Sequence, residues 1–388
     1  MVRMTLMARQ ELLKEVRQHY WRAGKKEKTR LLNEFVRYTG YHRKYALALL
    51  KGRYSHHKAT TRRRKRLYPQ EVTNALVVIW TVCDYIASRR LQPFLPEIVP
   101  ILERQGTLQL TPETRQLLLQ VSRATMDRLL KPARRTRAPH GRSTTKPGTY
   151  LKQSIPIRTW ADWGGAQPGD LEIDSVAHCG ESTSGAYLAT LDCVDVCTGW
   201  CECIVPANRG EQAVLAALQQ IRQRLPMPLV GLHSDNGGEF INKYRDDYCQ
   251  AEALTFSRGR PYKKNDQAHV EEKNWMVVRR HVGYDRYEGD AARSALNHLY
   301  QDLRLYVNFF QPVMKLIEKK RVDGKVKKVY DTAQTPYQRI LASPSVSQEN
   351  KDRLTALYQT LNPLALHQSI ETQLVTIWEK YANVPIEK

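Results

Sequence analysis

Apolar residues near the start of the chain recur every three or four positions. Leu12, Leu13, Val16 and Tyr20 in "ARQELLKEVRQHYWRAG" predict a helix that stops at Gly24. The next stretch, "KEKTRLLNEFVRYTGYHRKYALALLKG", keeps the helical period, breaks at Thr39-Gly40 and resumes, the outline of a helix-turn-helix. Residues 69–131 are again helical. "PQEVTNALVVIWTVCDYIAS" is apolar enough to be core, and "TPETRQLLLQVSRATMDRLLKPA" predicts a helix through Leu119, a turn at Val121-Ser122 and a second helix capped by Ser122. Periodicity then disappears in "RRTRAPHGRSTTKPGTY", a Pro-, Gly- and Arg-rich linker at which a domain boundary falls.

Beyond the linker the period changes to that of strands. "GDLEIDSVAH", "AYLATLDCVDV" and "GWCECIVPA" predict three strands, the last two joined by a turn near Thr198-Gly199. "NRGEQAVLAALQQIRQRL" predicts an amphipathic helix capped by Asn208, with Val214, Leu215, Leu218 and Ile221 inward. A buried strand "PLVGLHSD", a helix "EFINKYRDDYCQAE", a strand "ALTFSRG" and a helix "NDQAHVEEKNWMVVRRHVG" follow, the last capped at Asn265 or Asp266. The order β-β-β-α-β-α-β-α describes a meander extended by parallel strands, an α/β sheet. Further on, "RLYVNFFQPVMKL" is helix-like, "KLIEKKRVDGKVKKVYD" is a hairpin about Asp323-Gly324, and two terminal helices close the chain.

Charge is unevenly distributed. The 388 residues carry a net +22, and residues 1–150, with 32 Lys+Arg against 10 Asp+Glu, hold all of it. Such a localised positive field points to a polyanion, most often nucleic acid. Candidate phosphate or groove contacts are Arg43 and Lys44 at the start of the second helix, Arg62, Arg63, Arg64, Lys65 and Arg66 in an unbroken basic run, and Arg123 and Arg128 on the second helix pair. Lys263, Lys264, Arg279 and Arg280 add basic positions around the closing helix. No run of 18 apolar residues indicates a membrane span, and the N-terminus does not resemble a signal peptide, so a cytoplasmic protein is expected. Of the seven cysteines, Cys193, Cys197, Cys201 and Cys203 cluster without a Cys-x-x-Cys pair. This favours buried small hydrophobes over a zinc site.

The candidate chemistry is acidic. Asp174 lies in the first strand, and Asp235 ends the fourth before a glycine turn. If the fourth strand adds beside the first, the two become neighbours. Ala268, Glu271, Trp275 and Val278 share one stripe of the closing helix, which would turn Glu271 and Trp275 toward the sheet. A buried carboxylate needs a cation, and converging carboxylates suit a hard divalent ion. Glu272 beside Glu271, and Glu172 on the Asp174 face, are alternatives. Asp195 beside a turn reads as structural, and His233 and His269 as ordinary strand-end and helix-end histidines or as phosphate contacts.

Asp174, Asp235 and Glu271, with 35 residues between the last two, resemble the aspartate-aspartate-glutamate triad of retroviral-integrase-like transposases. "HSDNGGEF", "RPYKKNDQAHVEEKNW" and "DVCTGW" match around them, and the spacing favours Glu271 over Glu272. The helical front and basic linker look like those of bacterial insertion-sequence transposases. The resemblance implies a ribonuclease-H-like core with a mixed five-stranded sheet, a helix-turn-helix region before it and a small hairpin and helical region after it. It also implies two Mg²⁺ or Mn²⁺ ions held by Asp174, Asp235 and Glu271, and DNA strand cleavage and joining at element ends and target DNA. A homo-oligomer, at least a dimer on DNA, and a place at the bacterial nucleoid follow as expectations. The corresponding domains are 1–66 and 67–133 (helix-turn-helix units), 134–159 (linker), 160–310 (catalytic core) and 311–388 (hairpin and helices). Two other readings are a catalytically silent DNA-binding derivative and a nuclease of the same fold.

Overall fold

The apolar-rich run from Asp170 to Ala177 becomes the central strand of a five-stranded sheet in the computed structural model, which describes residues 4–53, 67–134, 166–235, 240, 243–260, 267–322 and 325–382. The chain divides into two units, 1–67 and 68–388.

The first unit is three helices: α1 (Leu6–Arg22), α2 (Lys25–Thr39) and α3 (Arg43–Leu50). Its small core is Tyr20, Leu32, Phe35, Ala46, Leu49 and Leu50. Between α2 and α3 the chain turns on Gly40, whose φ of 68° lies in the left-handed region and whose N–H closes α2 on the Val36 carbonyl. A side chain there would be strained, which is why the helical period breaks at a glycine. Trp21 ties α1 to the end of α3 by donating from its indole to the Leu50 carbonyl at 2.8 Å.

The second unit starts with α4 (Gln70–Val82), α5 (Ser88–Arg104), α6 (Pro112–Leu119) and α7 (Arg123–Arg134). Ser122 accepts from the Thr125 N–H at 3.3 Å, the expected cap of α7. These helices share one continuous apolar cluster with the sheet. The sheet comprises β1 (Asp170–Ala177), β2 (Ala189–Asp195), β3 (Cys201–Ile204), β4 (Gly231–Ser234) and β5 (Thr255–Arg258) in the order β3-β2-β1-β4-β5. β2 and β3 pair antiparallel, β4 and β5 parallel, as the meander-then-crossover pattern requires. Crossovers are α8 (Glu211–Arg224) and α9 (Lys243–Ala251). Asn208 does not cap α8: its Oδ1 accepts from Gly210 N–H at 2.8 Å, shaping the preceding turn, and Gly210 is the cap residue.

The helix after β5 is not uniform. α10 (Ala268–Lys273) passes through a π-helical segment (Asn274–Arg279) into α11 (Arg280–Val282). α12 (Gly289–Phe310) then covers the edge strand β3. Asn308 accepts from Cys201 N–H at 2.9 Å and donates to its carbonyl at 2.8 Å, and Asn297 does the same for Val205 at 2.8 and 3.0 Å. Two amides eleven residues apart on one helix face thus occupy hydrogen-bonding groups that an open edge would leave unpaired. The hairpin β6 (Leu316–Val322) and β7 (Lys325–Tyr330) follows, then α13 (Pro336–Ala342), α14 (Gln348–Thr360) and α15 (Pro363–Tyr381), the last packed on α12. Asp323-Gly324 lies outside the described residues.

Candidate active site

The parallel register pairs Ile173 with Ser234, so the next residues, Asp174 and Asp235, leave neighbouring strands on one face. Their side chains interact: burial, reinforced by the Asp235 charge, pushes the Asp174 carboxyl up to about 7. Asn274, from the first residue of the π-helical segment, donates to Asp174 Oδ2 at 2.5 Å, and Asp174 Oδ1 accepts from the Ser175 N–H at 2.8 Å.

Glu172, two residues earlier on the same face, has a different task. It is fully buried, and its Oε2 accepts from His269 and Val270 N–H, each at 2.9 Å. It therefore fills the role expected of Asn265 or Asp266, which lie outside the described residues: it satisfies open donors in the first turn of α10. Burial pushes Glu172 up to about 8, with the charges of Glu271 and Asp174 adding to the rise. Its Oε1 has no hydrogen-bond partner among the described residues.

The closing helix turns a different face to the sheet from the one its apolar spacing suggests. Val270, Lys273, Val277 and Val278 are buried, whereas Glu271 is exposed and Trp275 is 57 % exposed. The expected inward stripe through Glu271 and Trp275 is therefore wrong: the face turned inward runs through Val270, Lys273 and Val277, one position away from it and already set within α10, ahead of the π-helical segment. The buried-charge argument for a cation belongs to Asp174 and Glu172 rather than to Glu271. Glu271 stays within electrostatic reach of Glu172, while Glu272 acts on Arg90 of α5. The two neighbouring glutamates thus serve different surroundings.

Asp174, Asp235 and Glu271 do not form a set whose oxygens all lie within 4.8 Å; the group of described residues that meets that distance is Asp192, Cys201 and Cys203. The donor chemistry around Asp174 nonetheless fits a hard divalent cation. The donors are carboxylate oxygens, two carboxyls are held well above their ordinary range by burial and mutual repulsion, and a buried oxygen lacks a partner.

Other expected positions separate clearly. Asp195 is structural: Oδ1 accepts from the Thr198 N–H and hydroxyl, both at 2.6 Å, and Oδ2 from Gly169 N–H at 2.7 Å. His233 is buried and pairs with Ser257 at 3.0 Å. Burial and Lys315 lower His269 to about 4, so it is neutral at pH 7. Arg279 donates to the carbonyls of Ala177 at 2.7 Å and Gly283 at 3.3 Å, and stacks on Tyr284. Arg280 donates to the Asp84 carbonyl at 2.5 Å and pairs with its carboxylate at 3.1 Å. Both guanidiniums tie the helix to the protein and are half-buried. Arg43, Lys44, Arg123 and Arg128 are exposed, although Arg43 donates to Asn33 and Arg128 to Ala124 and Thr125. Arg62, Arg63, Arg64, Lys65, Arg66, Lys263 and Lys264 lie outside the described residues. None of the described helices is long and apolar enough to cross a membrane.

The sheet order, with a three-strand meander carrying two parallel strands, is that of the ribonuclease-H-like fold, and residues 166–264 match the profile of the integrase core domain. That range includes Asp174 and Asp235 and stops short of Glu271. The core is thus that of the transposase and integrase class of polynucleotidyl transferases. The chain belongs to the family of the uncharacterized protein y4rM of Sinorhizobium fredii (strain NBRC 101917 / NGR234), with 41% identity over 337 residues, 87% of this chain and 96% of the relative. Among solved structures it is similar to the catalytic core domain of BIV integrase, at 18% identity and a TM-score of 0.31, covering 45% of this chain and 95% of that one.

Proposed function

We propose that this protein is a transposase that cuts DNA at the ends of a mobile element and joins those ends to target DNA. The observation that carries the reading is the pair Asp174 and Asp235 on adjacent parallel strands, with the helix bearing Glu271 anchored above by Glu172. Asp174, Asp235 and Glu271 would hold two Mg²⁺ or Mn²⁺ ions, which supply activation of the incoming oxygen and stabilisation of the leaving one. In the first reaction, water displaces the 3′-oxygen at the element end. The 3′-hydroxyl so formed then displaces an oxygen at a target phosphodiester, and no covalent protein intermediate is required.

The protein's own contribution is positioning. Asn274 orients one Asp174 oxygen by hydrogen bonding and leaves the other toward Ser175, while Glu172 fixes the start of the helix that carries Glu271. The basic front, through Arg43, Lys44, Arg62–Arg66, Arg123 and Arg128, would grip the DNA backbone and groove. Lys263 and Lys264 would add contacts near the reacting phosphate. Joining two ends calls for at least two copies of the chain on the DNA.

The test uses the intact chain, labelled duplexes carrying the element's own ends, and Mg²⁺ or Mn²⁺. The expected products are a nicked end and a strand-transfer species, both lost in Asp235→Asn while DNA binding persists. Nicking without joining would identify a nuclease. Binding by the wild type with no metal-dependent cleavage would leave a DNA-binding derivative instead.

A further inference from the structure

The cross-strand partner of Asp174 on β2 is Asp192, and the partner of Asp192 on β3 is Cys203. Cys201 lies two residues from Cys203 and so on the same sheet face. Three side chains that can ligate a metal therefore meet inside the sheet, at 0 %, 2 % and 5 % exposure for Asp192, Cys201 and Cys203. Asp192 Oδ1 is 3.2 Å from the Cys201 sulfur and 3.5 Å from the Cys203 sulfur, and the two sulfurs are 4.0 Å apart.

We propose that Asp192, Cys201 and Cys203 form a buried structural zinc site. With zinc–sulfur bonds of about 2.3 Å and zinc–oxygen bonds of about 2.0–2.2 Å, a tetrahedral site has S···S edges of roughly 3.8 Å and S···O edges of roughly 3.5 Å. The three observed separations already approximate one face of that tetrahedron. Asp192 Oδ2, which is buried and has no hydrogen-bond partner among the described residues, lies on the same carboxylate and would chelate the ion edge-on beside Oδ1, so that the two sulfurs and the chelating carboxylate make a distorted tetrahedron.

Lys273 is compatible with the charge of the loaded site. It is 4 % exposed, its Nζ has no hydrogen-bond partner among the described residues, and its charge acts on Asp192 and Cys201. A buried unpaired ammonium is costly. Two thiolates and one carboxylate around a divalent cation leave one net negative charge, and Lys273 balances it. Thiols that merely donate to Asp192 would account for Oδ1 but leave Oδ2 without a partner. Zinc rather than magnesium follows from the sulfur ligands, since thiolates select soft and borderline ions. Binding releases the two thiol protons to solvent.

The ligands are held in register by a brace outside the cluster, because Asn308 of α12 binds both backbone groups of Cys201. The site would in turn stiffen β2 directly beside Asp174. It is separate from the hard-ion site proposed above and does not depend on it.

The experiment is metal analysis of the intact chain, expressed with zinc and purified under reducing conditions without chelator. About one zinc per chain is expected, X-ray absorption at the zinc edge should count two sulfur neighbours, and cobalt replacement should give a thiolate-to-metal charge-transfer band. Cys201→Ser with Cys203→Ser should lose zinc and band; Cys197→Ser and Asp235→Asn should keep both. A folded wild type free of zinc that gives no thiolate band with cobalt overturns the proposal, as does zinc whose edge spectrum lacks two sulfurs. The wild-type spectra decide the matter even where the double variant does not fold. DNA cleavage is not among the readouts, so failure of the proposed function and failure of the zinc site are told apart.

Discussion

At Glu271 and Glu272, adjacent residues of one type face different charges, and a mutation can tell their roles apart. Glu271 acts on the buried Glu172, and Glu272 on Arg90. Glu271→Gln is expected to lower end cleavage by about 10²–10³-fold, the scale for removing one group that stabilises developing charge. Glu272→Gln should stay within a few-fold, as measured by single-turnover cleavage. The carboxyls beneath make a second prediction. Glu172 and Asp174 are held at about 8 and about 7, mainly by burial, whereas in the unfolded chain they titrate near about 4. The folded state thus binds more protons between those limits, and its stability is full below the unfolded pKa and lost as pH rises through 7 to 8. Without divalent cation, Tm should fall by about 5 °C between pH 6.5 and 8.5. The fall should shrink with Mn²⁺ present and in Asp174→Asn, and a flat profile would contradict the burial argument. Asp174 and Asp235 were legible in the sequence because each stands at a fixed place in an apolar strand. Glu271 was legible only through its spacing in a known motif. The Asp192–Cys201–Cys203 group was not legible, because cross-strand register, unlike sequence spacing, brings Asp192 to the cysteines.

Among the elements, α12 shows what a hydrophobic pattern conveys and what it omits. Its apolar face is evident from spacing, but its polar stripe gains meaning only once β2 and β3 lie beneath it. Asn297, Tyr300, Arg304 and Asn308 follow each other at three- and four-residue steps and reach Val205, Thr190, Glu202 and Cys201 in turn. Glu202 is fully buried, takes both Arg304 donors at 2.8–3.0 Å and accepts from the Trp200 indole at 2.9 Å. Arg304→Met should cost about 3–5 kcal/mol in chemical denaturation, because it strands a buried carboxylate. Pairing it with Glu202→Gln should recover much of the loss. If the single variant costs less than about 1 kcal/mol, the pair is not the brace described here. The helix after β5 exposes the opposite limit of pattern reading. Ala268, Glu271, Trp275 and Val278 fit an α-helical stripe in the sequence, but the first three are exposed, because the inward face is the neighbouring one through Val270, Lys273 and Val277; and neither a glycine nor a proline announces the π-helical segment at Asn274–Arg279. The same segment puts Asn274 against Asp174, so the deviation serves the site that the pattern alone misplaced.

For the molecule as a whole, charge separates the labour that the fold divides. Residues 1–67, the first unit, hold 20 Lys+Arg and 4 Asp+Glu, while residues 151–388 are balanced at 29 of each. Within that unit, Trp21 is 62 % exposed and borders two cavities of about 640 and 630 Å³, the first also lined by Lys25, Lys28 and Lys51. Cations beside an exposed indole suit a phosphate backbone and its bases. Each phosphate neutralised releases counterions and adds about 0.9 to the slope of log affinity against log salt. Removing residues 1–67 is therefore expected to flatten that slope by about 3 or more while lowering affinity at low salt, measured by fluorescence anisotropy across a salt series. The remainder, with 41 Lys+Arg against 35 Asp+Glu, should keep its fold, because the apolar cluster of the second unit includes none of residues 1–67. Circular dichroism on the truncated chain checks that before the slope is read. An unchanged slope in a folded truncation would move the phosphate grip out of the three-helix unit and onto the basic residues that remain between it and β1, among which Arg89, Arg104, Arg123, Arg128 and Lys131 are exposed.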